Sequence, residues 1–407
     1  MQGALANIRV LDLSRILAGP WCTQNMADLG AEVIKVERPR HGDDTRHWGP
    51  PWRRDVAGND TPDSTYYVST NRNKKSITID IAKPEGQSLI RELAAQSDVL
   101  IENYKVGDLA RYGLGYEDIR KINPGIIYCS ITGYGQTGPS SYRPGYDFVF
   151  QGEGGLMSIT GERDDLPGGG PQKVGIAVVD VLTGMYASVA ILAALNARSL
   201  SGTGQYIDMA LMDCAVAFGS NQIVNHMVTG NIPARYGNAH ANMVPYQVFA
   251  TRNGHMIVAA GNDSQWQKFC VAIDNPGLAN DERYKLGPGR LKHRAELVPE
   301  LERIMRTRST EEWLERMEKG GIPSGAINNY QQVFANPQVQ HRRLWVNIPN
   351  ADGGVTPTVA SPLRLSDTPV EYRMPPPTLG QHTQEVLRTV LSKTSDEIER
   401  LSASGVI

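Results

Sequence analysis

The sequence predicts an α/β protein with a Rossmann-like parallel sheet in a large domain, a smaller α+β domain, and a chain that returns to the large domain. Three observations predict it. Short β-rich runs alternate with helical patterns through the first third of the chain, the spacing of βαβ units. From about Asn221 the pattern changes to a hairpin signature followed by helices, and from Ile327 it turns irregular and Pro-rich before two closing helices. These changes put the expected domains at 1–220, 221–326 and 327–407. A chain of 407 residues can fill two cores.

Ile8 to Leu13 reads as the first strand and Trp21 to Leu29 as a helix closed by Gly30. Glu32 to Glu37 reads as the second strand. Pro39 to Ser64 is rich in Pro and Asp and reads as irregular; Ser76 to Asp80 is again strand-like. Pro84, in its preferred first-turn position, opens a helix over Glu85 to Gln96. Val99 to Glu102, Ile126 to Ile131 and Gln205 to Ala210 are further short strands. Glu162 to Gln172 reads as an exposed loop. In the smaller domain, Tyr246 to Ala260 reads as a hairpin turning at Asn253-Gly254. Helical patterns follow over Gln265 to Ile273, His293 to Thr307 and Glu311 to Lys319. The last helices are Thr383 to Leu391 and a short one from Ser395.

Composition excludes several functions. A formal net charge of −2 leaves no electrostatic footprint for nucleic acid, so an anionic ligand must be held by local basic groups. Cys22, Cys129, Cys214 and Cys270 lie far apart with no C-x-x-C pair, which suits reduced thiols in the cytoplasm. The amino-terminal segment is too short and polar for a signal peptide, and no apolar run reaches spanning length uninterrupted, so no membrane partner is expected. The eight histidines are scattered, and no metal site is expected. The turn Ser14-Arg-Ile-Leu-Ala-Gly-Pro20 lacks the G-x-G-x-x-G spacing that a dinucleotide fold needs. Walker, nucleophile-elbow and H-E-x-x-H motifs are absent too.

Asp180 is almost the only charge in a long apolar stretch, Lys173 to Leu195. Buried carboxylates are rare without compensation. Taken alone, the simpler reading is an N-cap for the helix over Leu182 to Leu195. The alternative is a carboxylate nucleophile at a helix N-terminus, where the dipole favours negative charge.

Five segments decide between these readings. They are Ile8-Arg-Val-Leu-Asp-Leu with Ala18-Gly-Pro-Trp-Cys-Thr, Asp28 to Pro39 and Gly42 to Arg46; Asn73-Lys-Lys-Ser-Ile with Lys83 to Gly86, Val99 to Tyr104 and Gly107 to Gly113; Asn123-Pro with Ile131 to Gly135 and Gly145-Tyr-Asp147; the Asp180 segment with Thr183-Gly184; and Leu379 to Leu387. Together they resemble the class III CoA-transferase family, the superfamily of formyl-CoA transferase, carnitine CoA-transferase and α-methylacyl-CoA racemase, in order over nearly the whole chain.

The resemblance implies an acyl-CoA:carboxylate CoA-transferase with Asp180 as catalytic nucleophile. It implies a CoA site lined by Leu17, Ala18, Arg38, Ile79, Asp80, Ile81, Asn103, Tyr104, Lys105, Arg111 and Tyr146. Arginine suits phosphate, and Lys74 and Lys75 could add positive potential or form a solvated turn. No permanently bound cofactor is implied; CoA thioesters are the substrates, with an acyl-CoA donor and a carboxylic acid acceptor as partners. The Gly168–Gly170 loop could close over the intermediate. An interlocked homodimer is also implied.

Two positions refine the branch. Racemases carry a histidine where this chain has Tyr146, and tyrosine abstracts protons poorly near neutral pH, which favours transfer. Leu17 replaces a polar residue of formyl-CoA transferases, and Arg235 to Tyr246 lacks their glycine run. That stretch is closer to the succinyl-CoA-dependent dicarboxylate branch, with Arg235 or His240 expected to hold the acceptor's distal carboxylate. The remaining alternatives are a 2-methylacyl-CoA racemase and a non-catalytic CoA-binding protein.

Overall fold

The structure, a computed structural model, describes residues 3–407. The chain forms two compact units. One comprises residues up to 156, 174–224 and 342–407; the other comprises 157–173 and 225–341. The small unit therefore takes in the glycine-rich loop and runs to His341, beyond the bounds of 221 and 326 read from the sequence.

The large unit holds a six-stranded sheet, β1 (Arg9–Asp12), β2 (Glu32–Glu37), β5 (Lys74–Thr78), β6 (Val99–Glu102), β7 (Ile127–Thr132) and β8 (Tyr206–Ala210), in the order β5-β2-β1-β6-β7-β8. Every adjacent pair is parallel. Alternate strand residues feed different cores, as the two-residue period of a strand requires. Leu11, Ile34, Ile77 and Leu100 join the helix α3 (Pro84–Ala95) and the closing helices Thr383–Thr389 and Ser395–Ala403 in one core. Val10, Val33, Val99 and Ile127 join α1 (Ala18–Asp28) and α8 (Val178–Ser201) in the other. The two closing helices thus complete a face of the large sheet.

Four regions depart from the sequence reading. Helix α1 begins at Ala18, earlier than Trp21, because Pro20 falls in its first turn, where no N–H is required. The stretch read as irregular contains a 3-10 turn, Asp44–His47, and a hairpin, β3 (Trp52–Arg54) with β4 (Asp60–Ser64), followed by the short helix α2 (Thr65–Val68). After Ile327 there are helices Tyr330–Ala335 and Pro337–His341 and a hairpin, Trp345–Pro349 with Val355–Val359. Their sparse apolar residues hide the period. Helix α8 is also longer than expected and, by length and composition alone, apolar enough to cross a membrane; its Val179, Ala187, Ile191 and Ala194 are buried in the core with residues of α1 and the sheet.

The small unit has a three-stranded antiparallel sheet built on Tyr246–Ala250 and His255–Ala259, joined through Thr251 to Gly254, with Ser324–Ala326 at the edge. Helices Asp263–Ala272, Arg294–Met305 and Thr310–Lys319 cover it around Trp266, Phe269, Leu301 and Trp313. The loop over 161–172 is closed at its stem, where the Gln172 N–H donates to the Thr160 carbonyl at 2.8 Å.

Candidate active site

Strands β1 and β6 are neighbours, and the chain leaves them toward opposite edges of the sheet. Such a reversal opens a crevice at the carboxyl ends of the strands. The loop after β1 is bound to the loop after β6: the Arg15 N–H donates to Asn103 Oδ1 at 3.0 Å, and Asn103 Nδ2 donates to the Arg15 carbonyl at 2.7 Å. The next residue, Ile16, has φ +74°, a costly conformation for a β-branched side chain. Its N–H donates to both oxygens of Asp43 at 3.2 Å, and the buried Lys35 ammonium holds Asp43 at 2.8 Å. A buried ion pair therefore keeps this strained turn in place, and the turn delivers Leu17 and Ala18 to the crevice.

Asp180 is the third residue of α8 and is buried, at 9% exposure. It does not cap the helix. That role belongs to Asp147, the first residue of α6 (Asp147–Glu153), whose Oδ1 accepts from the N–H groups of Val179 at 2.7 Å and Asp180 at 3.2 Å. Gln151 Nε2 donates to Asp147 Oδ2 at 2.6 Å and fixes its orientation. Burial, and then the Asp147 charge, push the Asp180 carboxyl up to about 7; no cation among the described residues counters them. Tyr66, on α2, feels the same pair. Burial and then the charges of Asp180, Asp147 and Asp43 raise its phenol to about 12, so it remains a neutral O–H donor.

Two cavities meet in the crevice. One, of about 200 Å³, is lined by Asp180 with Leu17, Ala18, Asn103, Tyr104, Lys105 and Tyr146. The other, of about 470 Å³, is lined by Arg38, Ile79, Asp80, Ile81 and Tyr104 among others. Arg15 and Tyr104 line both. The structure thus brings together Asp180 and all but one of the residues that the resemblance assigns to CoA. The exception is Arg111, which lines neither cavity and pairs with Asp108 on its own short helix, Asp108–Arg111.

Lys74 and Lys75 are not a solvated basic turn. Both lie on β5: Lys74 is fully buried, 3.4 Å from Asp12, and Lys75 pairs with Glu32 at 3.0 Å and Glu385 at 2.8 Å. Arg235 and His240 belong to the small unit. Arg235 is bound there to the Asp164 carboxylate and to the carbonyls of Ser158 and Glu162, and His240 Nδ1 accepts from the Asn242 N–H at 3.0 Å. Arg15, Asp147 and Tyr66 were not foreseen. For Asp147 a signal existed: it ends the Gly145-Tyr-Asp147 segment.

A further cavity of about 600 Å³, lined by Trp21, Arg53, Arg72 and Val355 to Pro362 among others, contains none of these residues and no carboxylate, thiol or imidazole. Among the described residues no group of three or more His, Cys, Asp or Glu could hold a metal ion. What the crevice offers is a long path ending at a carboxylate poised between its charged and neutral forms.

The model of CoA-transferase family III matches residues 5–383. A succinate–glutarate CoA-transferase of Agrobacterium fabrum is 46% identical over 388 residues, 94% of each chain. A succinyl-CoA:glutarate CoA-transferase of Homo sapiens is 45% identical over 403 residues, 99% of this chain and 90% of the human one. The crystal structure of a CaiB/BaiF family protein from Brucella suis superposes with a TM-score of 0.84 at 43% identity, covering 96% of this chain and all of that one.

Proposed function

The chain belongs to CoA-transferase family III, and on that premise we propose that it carries CoA from succinyl-CoA to a second small dicarboxylic acid through the Asp180 carboxylate. The observation that carries this reading is a buried carboxylate, raised to about 7, at the end of a cavity that adjoins a larger one.

Asp180 Oδ attacks the donor thioester carbonyl; the C–S bond breaks, giving an aspartyl–acyl anhydride and CoA thiolate. The thiolate attacks the aspartyl carbonyl, forming aspartyl-CoA thioester and releasing the donor acid as its carboxylate. The acceptor carboxylate attacks that thioester, restoring an anhydride and free thiolate. The thiolate then takes the acceptor's acyl group and frees Asp180. Each step exchanges one acyl bond for another, so no oxidant or added proton is needed. Asp147, by holding the first amides of α8, fixes where the nucleophile stands. Ionised Asp180 is required, so turnover rises with pH through about 7.

Arg235 and His240 are our candidates for the acceptor's distal carboxylate; Arg235 can serve only by exchanging Asp164 for the substrate. Arg111 is retained as a CoA candidate that must give up Asp108 in the same way. The Gly168–Gly170 loop is proposed to exclude water from the anhydride. A homodimer is proposed as well. Helix α8 leaves Met185, Tyr186, Val189 and Leu192 exposed, and α9 (Leu211–Phe218) leaves Val216 and Phe218, an apolar surface that suits a second copy. Four buried free cysteines suit a reducing compartment such as the cytoplasm.

Incubation with succinyl-CoA and a panel of acids, read by mass spectrometry, should yield new thioesters, with glutarate among the acceptors. Hydroxylamine present during turnover should modify residue 180. No new thioester with any acid would sink the proposal. Deuterium uptake α to the thioester in D2O without transfer would establish the racemase reading instead.

A further inference from the structure

We propose that the Asp44 carboxylate is an internal stand-in for a phosphate of coenzyme A, occupying Arg15 until the ligand displaces it. This rests on the CoA reading of the crevice and names the residue that reads the ligand's charge where the two cavities join. Arg15 is the cation common to both cavities, so a ligand reaching from the larger one to Asp180 passes its guanidinium. Arg15 Nη1 donates to Asp44 Oδ2 at 2.8 Å, and His41 Nε2 stands 3.6 Å from Asp44 Oδ1. One carboxylate thus stands between the Arg15 guanidinium and the His41 imidazole, both on the wall of the larger cavity.

The contrast with the neighbouring pair shows which bond can be exchanged. Lys35 and Asp43, also on the cavity wall, are buried, and Lys35 is further bonded to the Ser14 carbonyl at 2.8 Å. That ammonium is committed to the fold. The Arg15 and Asp44 side chains remain 51% and 34% exposed, and such pairs add little stability. The Arg15 backbone is nevertheless pinned by Asn103 on both its N–H and its carbonyl. A planar donor fork on a fixed backbone, held by one weak carboxylate contact, is prepared for a phosphate, which brings more acceptor oxygens and matches the fork with two parallel bonds.

Calorimetric titration of CoA into the full chain and into Asp44→Asn, Asp44→Ala, Arg15→Ala and the Arg15→Ala/Asp44→Asn double variant tests this. Neutralising Asp44 is expected to tighten CoA binding three- to tenfold, and Arg15→Ala to weaken it tenfold or more. The gain from Asp44→Asn should shrink by at least half, on a logarithmic scale, once Arg15 is gone. If both Asp44 variants keep a native circular dichroism spectrum and bind CoA no tighter than the parent, the stand-in is overturned. A parent that binds CoA, tightens with Asp44→Asn, yet transfers nothing supports the exchange and overturns the transferase reading alone. A parent that does not bind CoA overturns both.

Discussion

Asp12 and Asp180 are two buried carboxylates of the large unit, and their surroundings are opposite. Asp12, at the end of β1, accepts from the Ser14 N–H at 2.9 Å, the Ser14 hydroxyl at 2.5 Å and the Thr23 hydroxyl at 2.6 Å, with the Lys74 ammonium 3.4 Å away. Burial pushes its carboxyl up, but Lys74, Lys35 and the two hydroxyls outweigh that and hold it below the ordinary range. Asp180 has the burial without the compensation and rises to about 7. Low exposure alone therefore does not mark a nucleophile. Nor does a missing counter-charge, since Glu102 is buried without a cation and is also raised to about 7, but accepts from the Tyr104 N–H at 2.7 Å. Asp180 lacks both cation and donor among the described residues, and a carboxylate already satisfied by donors has little left to offer a carbonyl carbon.

The largest expected effect separates the two sites outright. Asp180→Ala should lower transfer by about 10⁴-fold or more, while CoA binding and the far-ultraviolet spectrum persist. Asp180→Asn should do the same and also stabilise the fold. The native state holds a proton on Asp180 up to about 7, whereas the unfolded chain releases it near 3.8. Stability contributed by this group is therefore greatest at low pH and falls as pH rises across that window. Above pH 8 the asparagine variant should be more stable by about 2 to 4 kcal/mol, measured by urea unfolding at pH 5 and pH 8. Equal stability at both pH values would remove the contrast.

Lys74→Met tests the other half. It leaves Asp12 buried beside no ammonium of its own and should cost about 3 to 5 kcal/mol, read from the urea midpoint. The double variant Asp12→Asn/Lys74→Met should recover part of this loss. A loss below about 1 kcal/mol would mean that Lys35 and the hydroxyls suffice for Asp12, and the Asp12–Lys74 pair would cease to be a structural counterpart to the active site.

Asp147→Asn sharpens the comparison from within the active site. Asparagine retains an oxygen to accept the α8 amides but removes the charge that, after burial, raises Asp180. The acid limb of kcat/KM should move to lower pH, with about a tenfold loss at its plateau as the nucleophile becomes less basic. Asp147→Ala should add the loss of a cap, about 1 kcal/mol. An acid limb that stays in place would show that burial alone sets the titration of Asp180.

How much of this was legible follows from the same physics. Several parallel strands were visible because both faces are covered, which makes them short, largely apolar runs such as Val99 to Glu102. The hairpin at Trp52–Arg54 and Asp60–Ser64 was not, because its polar residues and Pro62 carry no alternation. Asp180 stood out as a lone charge in an apolar helix. Its relation to Asp147 did not, since it depends on two amides meeting a side chain 32 and 33 residues away. Arg15 carried no signal by itself; only the strand order, which places the β1 and β6 loops side by side, gives it two cavities to face. Family pattern assigned Arg111 to CoA, but it cannot show that a neighbouring Asp108 holds that guanidinium.

Tyr66 gives the smallest effect and the finest discrimination. Its phenol is held at about 12 first by burial and then by the negative charges of Asp180, Asp147 and Asp43, so it keeps its proton throughout the working range. Asp12 has two hydroxyls bonded to it; the Asp180 charge reaches one neutral phenol, which we propose as a donor to the oxyanion that forms during attack. Tyr66→Phe removes that donor and leaves the ring against Trp48, 5.1 Å away between centroids. The loss of one neutral hydrogen bond, about 1 kcal/mol, should appear as a roughly fivefold fall in kcat with KM unchanged. A rise in KM alone would place the phenol at the bound acid rather than at the reacting carbonyl. Unchanged kinetics would leave Tyr66 as a packing residue, with the charge of Asp180 reaching it to no chemical purpose.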